Sequence, residues 1–183
     1  MTDENKADIP DKELFQSRKF KVVERMQIGR SGALLKRQVV KHPGAIGIVP
    51  ILPDGRVLLI KQYRIALEKE IYEIPAGTRE PGEEPIITAK RELIEETGYR
   101  TDNFTELTTI YTSPGILQEE LVLYLAQDLT PGESAPEDGE KINLTPMTWD
   151  EINQLIDAGE IADGKTLAGL FLTLRRLGRA LRR

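Results

Sequence analysis

The chain has 183 residues and a formal net charge of −5, with 39% hydrophobic and 30% charged residues. That length suits one good core rather than two full domains, and the aliphatic content excludes wholesale disorder. An acidic balance offers no general footprint for nucleic acid, so no nucleic-acid partner is expected. The sequence holds no cysteine, which rules out disulfides, thiol catalysis and thiolate metal sites. Its start, MTDENKADIPDKEL, is acidic and polar, unlike a signal peptide, and no stretch approaches the about 18 apolar residues of a membrane span. A cytoplasmic location and no membrane partner are expected.

In chain order, residues 1–18 read as a mobile leader and 19–43 as a separate β region. Phe20 to Gln27 and Ala33 to Lys41 form its strands, joined at Gly29-Arg30-Ser31-Gly32. Residues 44–183 read as the main domain. Ala45 to Leu52 and Val57 to Gln62 are apolar runs split by the turn signal Pro53-Asp54-Gly55. A short strand, Ile71 to Ile74, runs into Pro75-Ala76-Gly77, and a helix is predicted from Glu84 to Thr97, closed by Gly98.

Strands follow at Phe104 to Thr112 and Leu121 to Ala126, around a loop from Ser113 to Glu120. Thr130 to Glu140 reads as an exposed loop. Helices at Trp149 to Ala158 and Thr166 to Arg182 complete the chain. The last has Leu170, Phe171, Leu174 and Leu177 at helical spacing, so its arginines, Arg175, Arg176, Arg179, Arg182 and Arg183, read as a solvated face. Strands and helices mix without regular βαβ alternation, so an α+β fold is expected. Asn143-Leu144-Thr145 matches a glycosylation sequon, which without a secretory signal is read as chance.

The segment with chemical content runs from Gly77 to Tyr99. On a helix Glu92 and Glu96 lie one turn apart on one face, with Glu95 beside them. Three such carboxylates form either a solvated face or a seat for a hard cation; magnesium binds through a few carboxylates and substrate phosphates. Arg91 can pair with Glu95 at i+4 and with Glu83 in the preceding loop, fixing the carboxylate face.

Gly77-x5-Glu83-x7-Arg91-Glu92-Leu93-Ile94-Glu95-Glu96-Thr97-Gly98-Tyr99 resembles, position by position, the signature box of the Nudix hydrolases. Only Tyr99 departs from it, standing where an aliphatic residue is usual. The resemblance implies an α/β/α sandwich with a mixed sheet, to which the N-terminal β-hairpin region is added. It implies a Mg2+ site, with Mn2+ possible, at Glu92, Glu96, Glu95 and the backbone carbonyl of Ala76; Glu95 can instead be a partner of Arg91.

Across roughly Phe20 to Arg176 the chain is most similar to the ADP-ribose pyrophosphatase group. That likeness implies hydrolysis of a nucleoside diphosphate sugar, foremost ADP-ribose to AMP and ribose 5-phosphate. GDP-mannose or another such sugar is the alternative substrate, and a non-catalytic ADP-ribose sensor a third reading. The group's proline falls at Pro114, and its water-activating glutamate falls at Glu119, with Glu120 adjacent. Arg64, in Gln62-Tyr63-Arg64, is implied to grip the diphosphate, since a planar guanidinium suits bidentate phosphate contacts. Glu73 is implied to bind the terminal ribose or support the metals. The likeness also implies a homodimer through residues 19–43. The sole histidine, His42, lies far from the box in sequence, so the base is expected to be a carboxylate. No tryptophan precedes Trp149 to stack on adenine.

Overall fold

The computed structural model describes residues 9–133 and 141–178. Its elements are β1 (Lys12–Gln16), β2 (Lys21–Ile28), β3 (Leu34–Lys41), β4 (Ala45–Pro50), β5 (Val57–Arg64), β6 (Lys69–Glu73) and β7 (Ala76–Thr78), then α1 (Pro85–Thr97), β8 (Tyr99–Arg100) and β9 (Asn103–Ile110). β10 (Leu117–Gln118), β11 (Leu121–Gln127), β12 (Thr130–Pro131), β13 (Ile142–Met147), α2 (Trp149–Asp157) and α3 (Gly164–Arg176) follow. They divide into two compact units, one of residues 9–44 and 111–120 and one of 45–110 and 121–178.

The first unit is a sheet in the order β1-β2-β3-β10. β2 and β3 pair antiparallel from Lys21–Lys41 to Ile28–Leu34 around the predicted glycine turn. β1 lies within the segment expected to be mobile. It pairs with β2, and Asp11, just before it, receives two hydrogen bonds from Arg25 at 2.9 and 2.7 Å. Hydrogen bonding from Arg25 outweighs the cost of burial and, with Lys41 adding its charge, holds the Asp11 carboxyl at about 2. That bond cannot be read from local sequence, because Arg25 belongs to the next strand. β10 was likewise hidden in a loop; it joins the sheet parallel to β3, matching Leu117 to Val40 and Gln118 to Lys41.

The second unit is built on the sheet β7-β4-β11-β9, where β4 and β11 run parallel through six residue pairs. Alternation along these strands feeds two cores. Ile46, Ile48, Val122 and Tyr124 pack with Ala89 and Leu93 of α1, while Ala45, Val49, Leu121 and Leu123 pack with Leu170 and Leu174 of α3. Because successive strand residues face opposite ways, the two helices cover opposite faces. The expected α/β/α sandwich and α+β class are therefore observed, with β13-β5-β6 as a further sheet. Gly47 lets Ile74 and Leu123 approach, since a Cβ there would lie 3.0 Å from each.

α1 ends at Gly98 with φ 73°, in the left-handed conformation its residue type predicts. α2 opens on Thr148, whose side chain and Glu151 form a reciprocal capping box. α3 starts two residues before the predicted position, because Asp163 caps it by accepting from the Thr166 amide at 2.9 Å. Leu170 and Leu174 are buried, but Phe171 is 38% exposed, so the expected apolar stripe is narrower than its spacing suggested. Arg179, Arg182 and Arg183 lie outside the described residues, as does most of the loop expected after Thr130. β13 was not foreseen; it contains the sequon Asn143-Leu144-Thr145. Among the described residues no helix is long and apolar enough to cross a membrane.

Candidate active site

The Gly77–Tyr99 segment folds as strand, loop and helix, and α1 turns its acidic face toward β7. Arg91 organises it. One Nη donates to Glu92 at 2.8 Å and to Glu95 at 2.9 Å, while the other lies 3.4 Å from Glu83. Burial works against this guanidinium's charge, but Glu83, Glu92 and Glu95 outweigh it and raise its pKa. Glu96, 5% exposed, accepts a hydrogen bond from the Ala76 amide at 2.9 Å. The helix is thereby fastened to the strand whose Ala76 carbonyl was a candidate ligand.

Gly77 leaves room for the Glu92 side chain as it stands. A Cβ at this position would overlap the Glu92 carboxylate, so the glycine makes the space that this side chain fills. Arg79 braces the loop by donating to the Glu83 carbonyl at 2.6 and 3.0 Å, and the Glu83 carboxylate accepts from the Glu80 amide at 3.0 Å. Tyr99, the departure from the box, packs against the α1 core.

Among the described residues, no three acidic or histidine side chains are gathered as an ion cage. The donor chemistry nonetheless fits a hard cation. One cationic nitrogen already draws Glu92 and Glu95 together, and Glu96 holds the neighbouring backbone. Carboxylate and carbonyl oxygens are what magnesium and manganese prefer.

Arg64 and Glu73, treated as separate in the sequence, form one unit. Arg64 donates to the two Glu73 oxygens at 2.5 and 2.8 Å, and Lys165 pairs with Glu73 from α3. Glu73 is 1% exposed. Burial pushes its carboxyl up, but Arg64 and Lys165 outweigh that and hold it below the ordinary glutamate value. Arg64 keeps one Nη outside this bidentate pair, and its side chain is 38% exposed. Lys165 was missed because it lies far along the chain; the Asp163 cap was the available signal, placing Lys165 in the first turn of α3. From that turn Thr166 also accepts a hydrogen bond from the Ile74 amide at 2.9 Å.

Pro114, Glu119 and Glu120 belong to the first unit, where they border a cavity of about 500 Å³. Glu119 is partly buried. One oxygen lies 3.2 Å from His42 Nδ1, and the other accepts from the Thr112 hydroxyl at 2.6 Å. Glu120 is exposed. His42, set aside on sequence distance, is thus the immediate neighbour of the candidate base. Trp149 lies in the core beside α3.

The family model for the NUDIX domain matches residues 41–170. An ADP-ribose pyrophosphatase of Bacillus subtilis (strain 168) is 41% identical over 138 residues, covering 74% of this chain and 75% of that protein. A methanol dehydrogenase activator of Bacillus methanolicus is 42% identical over 139 residues, covering 75% of each. A crystal structure of ADP compounds hydrolase superposes with a TM-score of 0.81 at 24% identity, over 96% of this chain and 97% of that one, a likeness of fold. The family match takes in the whole carboxylate helix and the four strands β4 to β7 before it, and the identity persists over three quarters of the sequence. The chain belongs to the NUDIX family, whose hydrolases work with divalent metal ions.

Proposed function

We propose that this protein hydrolyses the diphosphate bond of a nucleoside diphosphate sugar, with ADP-ribose as substrate and AMP and ribose 5-phosphate as products. The observation that carries the reading is the folded box, with Gly77 opening space for Glu92 and Arg91 gathering the carboxylates. A relative 41% identical, named ADP-ribose pyrophosphatase, supports the substrate. Glu92, Glu96 and the Ala76 carbonyl would hold Mg2+, or Mn2+ in its place, with Glu95 an additional ligand or a partner of Arg91. When bound, the ion offsets phosphate charge and makes water a better nucleophile.

The chain's own groups do the rest. Arg64, held by Glu73, grips the diphosphate with the Nη outside their pair. Glu119 takes the proton of the attacking water, with Glu120 as the adjacent alternative, and Pro114 shapes the loop that carries them. The water oxygen bonds to one phosphorus as that atom's bond to the bridging oxygen breaks, and the bridging oxygen leaves with the other phosphate, giving two monoesters. A panel of ADP-ribose, GDP-mannose and other nucleoside diphosphate sugars with magnesium tests this directly. AMP and ribose 5-phosphate should be the products with the highest kcat/KM. Faster cleavage of GDP-mannose replaces the substrate, and no cleavage of any member with binding retained makes the protein a sensor.

The absence of cysteine suits a cytoplasmic site of action. We also propose a homodimer through residues 19–43. Phe20, Leu34 and Leu35 are exposed there, with Phe15 on the neighbouring β1, and exposed apolar groups of this size suit an interface. Light scattering at micromolar concentration should return twice the chain mass; the mass of one chain removes the dimer.

A further inference from the structure

The first unit brings His42 and Glu119 together through its backbone. β3 and β10 run parallel, matching Leu117 to Val40 and Gln118 to Lys41, and the His42 amide continues the ladder by donating to the Gln118 carbonyl at 3.3 Å. The next pair along this register is His42 and Glu119. Their side chains are each 14% exposed, and His42 Nδ1 lies 3.2 Å from Glu119 Oε1. The same Nδ1 also lies 3.2 Å from the Gly44 amide, which is placed to donate to it.

One ring nitrogen cannot serve both neighbours at once. With a proton on Nδ1, the imidazole donates to the Glu119 carboxylate; without it, the lone pair accepts from Gly44. Glu119's other oxygen is held by Thr112, so an Nδ1 proton completes a two-point grip on the carboxylate. We propose that His42 is a positioning residue for Glu119, and that the Nδ1 proton, shared between the two, holds that carboxylate in one orientation. The proposal rests on the reading of Glu119 as the base.

The surrounding charges bear on that proton. Burial lowers the pKa of His42, Glu119 opposes it, and Lys19 adds to the lowering. Arg25 and Glu120 border the same cavity. Arg25 and Lys41, the residue before His42, both pair with Asp11, at 2.7 and 3.6 Å. Glu119 is therefore the anion in contact with the ring, at Nδ1.

The protein has a single histidine, so the two ring-nitrogen signals in 15N NMR report its tautomer and titration without assignment to a residue. In the full chain, Glu119→Gln should lower the His42 midpoint by about one pH unit, because an opposite charge has been removed. It should also move the neutral ring toward the Nε2–H tautomer. An unchanged midpoint and tautomer overturn the shared proton.

Kinetics on ADP-ribose with magnesium test the consequence. His42→Ala should lower kcat by about 10-fold to 100-fold, the worth of a hydrogen bond to a charged group, with KM within about two-fold. His42→Asn, whose amide can donate from nearly the position of Nδ1, should recover most of the loss. Native kcat in His42→Ala overturns the positioning role, and so does a loss that His42→Asn fails to recover. Native turnover in Glu119→Gln beside a shifted His42 signal overturns Glu119 as base while the shared proton stands, so the two failures are distinguishable.

Discussion

Glu96→Gln will lower turnover by orders of magnitude and leave a folded protein. The substitution keeps the side chain's volume and an oxygen able to accept from the Ala76 amide, as Glu96 does at 2.9 Å. What it removes is a negative charge at a position 5% exposed, where a divalent ion gains most from an anionic ligand because little water competes. Gly77→Ala should fail by another route. The added methyl would overlap the Glu92 carboxylate and displace it from the same site without changing any charge. Activity assays paired with thermal melts separate the effects: Glu96→Gln should melt within a few degrees of the native chain. A folded Glu96→Gln variant with near-native turnover removes this helix from the chemistry.

The largest effect on stability is expected from Glu73→Ala. Glu73 is 1% exposed and faces both Arg64 and Lys165; without it the two cations face one another. Breaking a buried pair from one side typically costs about 3–5 kcal/mol. Arg64 is 38% exposed and Lys165 keeps Asp163 at 3.0 Å, so the lower end, about 3 kcal/mol, is expected. For a chain of this size that lowers Tm by roughly 6–12 °C.

The pH dependence has a definite sign. Burial raises the Glu73 carboxyl, but Arg64 and Lys165 bring it below its ordinary value. Its contribution is therefore fully present above the unfolded glutamate pKa and is lost as pH falls through the lower folded value. The Tm difference between the native chain and Glu73→Ala should be constant near neutrality and shrink on acidification through that window. A difference that stays constant on acidification, or a melt within 2 °C of native at pH 7, would show that the three groups are not coupled as described.

Several elements were legible because their signals are local, while the sandwich itself followed from the resemblance. Turn residues at Pro53-Asp54-Gly55, the apolar run of β4 and the glycine closing α1 all act within a few positions. The box was legible for the same reason: its loop and helix are continuous, and i+4 spacing determines which of its side chains meet. Pairings between distant segments were not. β10 forms against a strand that ends near His42, an arginine of β2 holds Asp11 just ahead of β1, and Lys165 reaches Glu73 from α3. Sequence distance alone also gave no sign that a parallel ladder places His42 next to Glu119. For Arg64, residue type suggested a ligand contact, but the nearer partner is a buried carboxylate of the same chain.

The guanidinium among the α1 carboxylates also bears on how such a protein can change over evolutionary time. Arg91 places a positive charge beside Glu83, Glu92 and Glu95, which offsets their mutual repulsion within the fold. Catalytic competence and structural integrity are then separable by selection. A lineage that loses a proposed ligand such as Glu96 through one substitution should still inherit a folded chain. From such a chain, a protein that recognises a nucleotide without cutting it is a short mutational distance away.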